Sequence, residues 1–175
     1  VAIPYRRKEG LHLLIDSTGI KVEGEGEWQR RKHGGSKRRI WRKIHIAVNE
    51  QTLEIRAVEV TSSAIGDAPV LPDLLHQIAP QEEITCVTAP CHDLRATHCR
   101  ATDGAYDTRA CHDAIAARGA IAIIPPRQNA RLWQPTTDGA KARNDALRAS
   151  KRLGRALWRK WSGYHRRSRV ETKMN

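Results

Sequence analysis

The apolar and polar positions fall into short runs that change period along the chain. His12 to Ser17 reads His-Leu-Leu-Ile-Asp-Ser, an aliphatic block that predicts a buried strand closing at an acid. Thr18 to Val22 leads to a turn at Gly24-Glu25-Gly26. From Trp41 to Val48 the chain alternates, with Trp41, Lys43, His45 and Ala47 on one side and Arg42, Ile44, Ile46 and Val48 on the other. Leu53 to Thr61 alternates again, with Ile55, Ala57 and Glu59 opposite Arg56, Val58 and Val60. Asn49 to Thr52 predicts a hairpin loop between them. Three sequential strands on short loops make an antiparallel meander.

After the meander the period becomes helical. Asp67 is a candidate cap for a helix whose apolar face is Val70, Leu71, Leu74, Leu75 and Ile78, ended by Pro80. Ile84 to Ala89 predicts a fourth strand. Thr108 predicts the cap of a helix running to Arg118 and stopped at Gly119, and Ala120 to Ile124 predicts an apolar fifth strand. Residues 127–139 are polar and loop-like, and from Ala140 to Glu171 helix formers dominate, broken at Gly154 and Gly163. The order β-β-β-α-β-α-β-α predicts an α/β domain with a mixed sheet covered by flanking helices. It is the order of the ribonuclease-H-like fold, three antiparallel strands followed by alternating helices and strands.

Composition narrows the function. The chain has 175 residues, room for about one domain. Lys and Arg total 31 against 19 Asp and Glu, a formal charge of +12 that favours a polyanionic partner over a small neutral substrate. No apolar run reaches the ~18 residues of a membrane span, and no signal peptide is visible at the amino terminus. The absence of Phe excludes a large aromatic core. Met174 is the only Met, so Val1 reads as a non-AUG start or as the edge of a larger protein. Cys86, Cys91, Cys99 and Cys111 lie close together without secretory features, which predicts thiols rather than disulfides. With His92, His98 and His112 they supply enough ligands for zinc, but no Cys-x2-Cys pair occurs and no zinc site is expected.

The basic residues are not spread evenly. Residues 28–43 hold eight Lys or Arg and no acid, with Arg38, Arg39, Arg42 and Lys43 beside Trp41. Residues 141–173 hold 12 Lys or Arg and two acids, with Trp158 and Trp161 interleaved. Cations set phosphate affinity and aromatic rings stack on exposed bases, so both stretches predict DNA contact as well as a solvated charged face. Three acids, far apart in sequence, stand out beside these stretches. Asp16 closes an apolar strand, where a carboxylate calls for a cation, a proton or a donor, or simply caps the next turn. Asp103 opens Asp-Gly-Ala-Tyr-Asp, either a carboxylate at the sheet edge or a plain Asp-Gly turn. Glu171 follows Tyr164 and Arg167 at helical spacing, so it serves a metal or forms an ion pair. Two strand-end Asp and a helical Glu are the hard oxygen ligands that two-metal phosphoryl transfer requires.

Ile15-Asp16-Ser17-Thr18-Gly19-Ile20-Lys21, Trp41-Arg42-Lys43-Ile44-His45, Asp103-Gly104-Ala105-Tyr106-Asp107-Thr108 and Trp161 through Glu171 resemble bacterial insertion-sequence transposases of the DDE type. The Tyr-x2-Arg-x3-Glu spacing of Tyr164, Arg167 and Glu171 is a signature of one large group of them. The resemblance implies a single ribonuclease-H-like catalytic domain in which Asp16, Asp103 and Glu171 are catalytic and hold two Mg²⁺ or Mn²⁺ ions. It implies that Tyr164 and Arg167 assist at the transposon-end DNA. Implied partners are double-stranded transposon-end and target DNA and a second copy during synapsis, in a bacterial, cytoplasmic, nucleoid-associated setting with no membrane. The expected reaction is phosphodiester hydrolysis followed by strand transfer; a DNA-binding remnant without catalysis and a ribonuclease-H-like nuclease are the alternatives. The chain departs from the family pattern in three ways. It stops before the Lys expected downstream of the Glu, it leaves no room before Asp16 for a helical DNA-binding region, and residues 90–102 form an atypical insert before Asp103.

Overall fold

A computed structural model describes residues 10–22, 32, 40–90 and 105–170. Its strands are β1 (Leu11–Val22), β2 (Ile40–Asn49), β3 (Ile55–Ser62), β4 (Ile84–Thr88) and β5 (Ile121–Ile123). The helices are α1 (Val70–His76), α2 (Arg109–Ala117), α3 (Asp138–Leu153) and α4 (Arg155–Trp161), followed by a 3₁₀ turn at Tyr164–Arg167. The five strands form one mixed sheet in the order β3-β2-β1-β4-β5. β1, β2 and β3 pair antiparallel, as the meander predicts, while β4 runs parallel to β1 and β5 parallel to β4.

The period-two pattern sorts residues onto two faces of this sheet. On one face Leu11, Leu13 and Ile15 of β1 join Ala47, Ala57 and Val87 under Leu71, Leu74, Leu75, Cys111 and Ile115 of α1 and α2. On the other, Leu14, Ile46 and Val48 pack against Val170, and Ile123 packs against Trp158 and Tyr164. Both faces are therefore covered, the second by the carboxy-terminal segment. No helix among the described residues is long and apolar enough to cross a membrane.

The hairpin loop falls where the sequence puts it, with Leu53 in the left-handed region at φ +57° and its N–H donating to the Asn49 carbonyl at 2.8 Å. Thr108 caps α2 as expected, its hydroxyl accepting from the Cys111 N–H at 3.3 Å. Gly154 and Gly163 break the long carboxy-terminal helical run, both at positive φ near +80°. Two expectations need correction. β1 does not end at Asp16 but continues to Val22, because β2 pairs with it in register from Leu13 to Val22. Asp67 does not cap α1; its carboxylate instead accepts from Lys43 Nζ at 3.0 Å, and the first residue of the helix is preceded by Pro69 with no side-chain cap.

Candidate active site at the β1–β4 junction

Among the described residues β4 pairs with β1 only from Leu11 to Leu14, so β1 runs on past the end of β4. Asp16 lies two residues past that point, on the same face as Leu14, and is buried. Its Oδ1 accepts from the Ser17 N–H at 2.9 Å, and its Oδ2 faces Arg167 Nη2 at 3.3 Å. A carboxylate on an otherwise apolar sheet face needs such a counter-charge, because burial disfavours the ion by several kcal/mol. Asp16 thus meets both a cation and a local backbone donor.

The partner cation arrives from far along the chain, 151 residues away in sequence. After α4 the chain crosses the sheet. Tyr164 is buried with Ile123 and Trp158, and Arg159 stacks over its ring at 5.6 Å. Arg167 then reaches Asp16, residues 168–170 are helical, and Val170 seals Leu14, Ile46 and Val48. Tyr106 is wholly buried near the same place. Burial, with the carboxylates of Asp67 and Asp16 close by, pushes its phenol well above the usual range, so it stays neutral.

Of the other residues singled out by sequence, Asp103, Glu171, Arg38 and Arg39 lie outside the described residues, as do Cys91, His92, His98, Cys99 and most of the 90–102 insert. Trp41 is 46% exposed and Arg42 is exposed. Lys43 is tied down, donating to the Asp67 carboxylate and to the Ile65 carbonyl at 3.2 Å. Trp158 is core, whereas Trp161 is 71% exposed. Cys86 and Cys111 are free thiols, and burial pushes both above the usual thiol range. Among the described residues no group of three or more His, Cys, Asp or Glu converges.

Sequence reading missed a buried ionic cluster around Asp107. Asp107 receives both arms of Arg143, Nε to Oδ1 and Nη2 to Oδ2, each at 3.0 Å, and the Arg127 N–H at 3.0 Å. His112 Nε2 lies 3.3 Å from Oδ1, and the Arg143 guanidinium lies over the Trp133 ring at 4.2 Å. Burial alone raises the Asp107 pKa, but the contacts from His112, Arg143 and the Arg127 amide outweigh it and hold the carboxyl well below the usual range. Nothing local in the sequence marks Arg143, 36 residues away, as the partner. The cluster fastens the 125–137 connection between β5 and α3 to the start of α2, directly downstream of Ala105 and Tyr106.

Comparison with solved structures finds no match. A family model described as the transposase DDE domain matches residues 7–175, essentially the whole chain. This protein therefore belongs to the transposase DDE-domain family.

Proposed function

We propose that this domain is a transposase catalytic core that cuts and joins DNA by metal-dependent phosphoryl transfer, with Asp16, Asp103 and Glu171 as its acidic residues. The observation that carries the reading is the buried Asp16 carboxylate meeting Arg167. That contact brings the carboxy-terminal segment to β1, and Glu171 follows Arg167 by four residues in sequence. Asp103 follows β4 in sequence, and the end of β4 is level with Leu14. Further support for a ribonuclease-H-like fold comes from the strand order and pairing directions. We read residues 1–175 as one domain with 90–102 as an insert.

The donor types suit hard divalent cations: all three are carboxylates, and that of Asp16 is buried. Asp16, Asp103 and Glu171 would hold two Mg²⁺ or Mn²⁺ ions, whose chemistry is activation of a water or 3′-hydroxyl and stabilisation of the leaving oxygen. The protein's own part is to fix the acids, exclude water behind Asp16 with Leu14 and Val170, and bring DNA to them. Trp41 and Arg42, with Arg38, Arg39 and Lys43, form one DNA contact region, and Arg167 with Tyr164 serves the transposon end. Double-stranded DNA, a second copy during synapsis and a bacterial cytoplasmic setting complete this reading.

The test is nicking of a labelled transposon-end duplex in Mg²⁺ or Mn²⁺, with Asp16→Ala, Asp103→Ala and Glu171→Ala as controls. Metal-dependent cleavage that each substitution abolishes supports the reading, and strand-transfer products separate a transposase from a nuclease. Binding of DNA without metal-dependent cleavage refutes it.

A further inference from the structure

The connection between β5 and α3, residues 125–137, contains no Asp or Glu. At its centre is a four-residue turn, 127–130, closed by the Ala130 N–H donating to the Arg127 carbonyl at 3.1 Å. Gln128 and Asn129 occupy the two central positions and are exposed, and Arg131, also exposed, follows the turn. The backbone is fastened on both sides of it. Before the turn, Arg155 Nη2 donates to the Pro126 carbonyl at 2.8 Å, and the Arg127 N–H donates to Asp107. After it, Arg143 Nη1 donates to the Arg131 carbonyl. The Asn144 side chain accepts from the Trp133 N–H at 2.9 Å and donates to the Trp133 carbonyl at 2.8 Å.

Surface loops are ordinarily held by few such bonds, and those that carry function are positioned by a rigid scaffold. The buried Asp107–Arg143 pair is such a scaffold. For stability alone, apolar residues of similar volume replace a buried ion pair at little cost, but they cannot hold the backbone at positions 127 and 131. Leu14, Thr88 and Ile123 are level across β1, β4 and β5. Asp16 and the start of the loop each come two residues later, at the same end of these parallel strands, with β1 and β5 about 10 Å apart. We infer that the 127–131 turn reads DNA: Gln128 and Asn129 contact base edges, Arg131 contacts a backbone phosphate, and Asp107 and Arg143 are positioning residues. Gln and Asn amides form two-bond contacts with base edges, and a turn is narrower than the α-helix that the major groove, about 12 Å wide, admits. This deepens the proposed action on DNA and rests on it.

The experiment uses the full chain to select from a pool of duplex DNA with a randomised centre. Fluorescence anisotropy then compares affinity for the enriched duplex and for a scrambled one across a range of salt. Gln128→Ala and Asn129→Ala should each lower the preference for the enriched duplex by roughly 5- to 150-fold. Arg131→Ala should weaken binding to both duplexes alike and reduce the slope of log affinity against log salt by about 0.9. Asp107→Asn combined with Arg143→Met leaves no charge buried but releases the Arg131 carbonyl. Folded by circular dichroism, it should lose the preference while still binding the scrambled duplex, which a purely stabilising role would not produce. Full preference in that double variant removes Asp107 and Arg143 from the positioning role. Unchanged preference in Gln128→Ala and Asn129→Ala, or a wild-type chain that binds the pool without enriching any sequence, overturns the inference and leaves DNA as the partner. A wild-type chain that binds no duplex overturns the proposed action on DNA itself.

Discussion

Replacing Arg143 by Ala is the sharpest test of how this domain is held together. Both partners of the Arg143–Asp107 pair are almost completely buried, at 3% and 0% side-chain exposure. Exposed ion pairs contribute little, but removing one partner of a buried pair strands the other charge, at a cost of about 3–5 kcal/mol. Arg143 also loses its stacking on Trp133 and its bond to the Arg131 carbonyl. At roughly 2–4 °C per kcal/mol for a domain of this size, the midpoint of thermal unfolding should fall by about 6–20 °C. Thermal unfolding followed by circular dichroism measures the midpoint, and urea unfolding followed by tryptophan fluorescence measures the free energy. Asp107→Asn combined with Arg143→Met should recover much of the loss, because Asn still accepts the Arg127 N–H and no charge is left buried. The low pKa of Asp107 also fixes the sign of the pH dependence. Its folded-state pKa lies below the unfolded one, so its contribution is present above about pH 4 and is lost as pH falls further. An Arg143→Ala variant within 1 kcal/mol of wild type, or a double variant no better than the single one, would refute the reasoning.

Two further outcomes follow from burial. His12 and His45 are held below the usual histidine range, in each case chiefly by burial, so the unfolded chain binds protons there more readily than the folded one. Stability should therefore fall as pH drops from about 6.5 toward 5, read as a lower urea midpoint, and a flat midpoint across that range contradicts it. At Gly139 an added Cβ would come within 2.6 Å of the His112 backbone carbonyl. Gly139→Ala should thus lose about 1–3 kcal/mol by overpacking α3 against α2, more than the ~1 kcal/mol of helix propensity it gains; an unchanged or raised melting temperature refutes it.

Much of the fold was legible because its signals are local. Alternation in 41–48 and 53–61 falls on β2 (Ile40–Asn49) and β3 (Ile55–Ser62), because a period of two is a property of the extended chain itself. Gly154 and Gly163 end helices in conformations that side chains disfavour, and Thr108 caps with its own hydroxyl. The errors came where a distant partner overrode a local rule. Lys43 claimed Asp67 from its helix cap, and pairing with β2 carried β1 past an acid that reads as a strand end. Trp158 and Trp161 look alike in sequence, yet the crossing of the sheet buries the first and exposes the second.

By itself the sequence determined the order of elements, the basic stretches, the family and Asp16 as the acid on the first strand, all properties of neighbouring residues or of motifs. Only the tertiary structure decided which charges meet: Asp16 with Arg167, Glu50 with Arg169, Asp107 with Arg143. The physical reason is that a buried charge is tolerable only beside its counter-charge, and that partner is chosen by how the sheet and its covering segments pack, with no fixed spacing along the chain to reveal it.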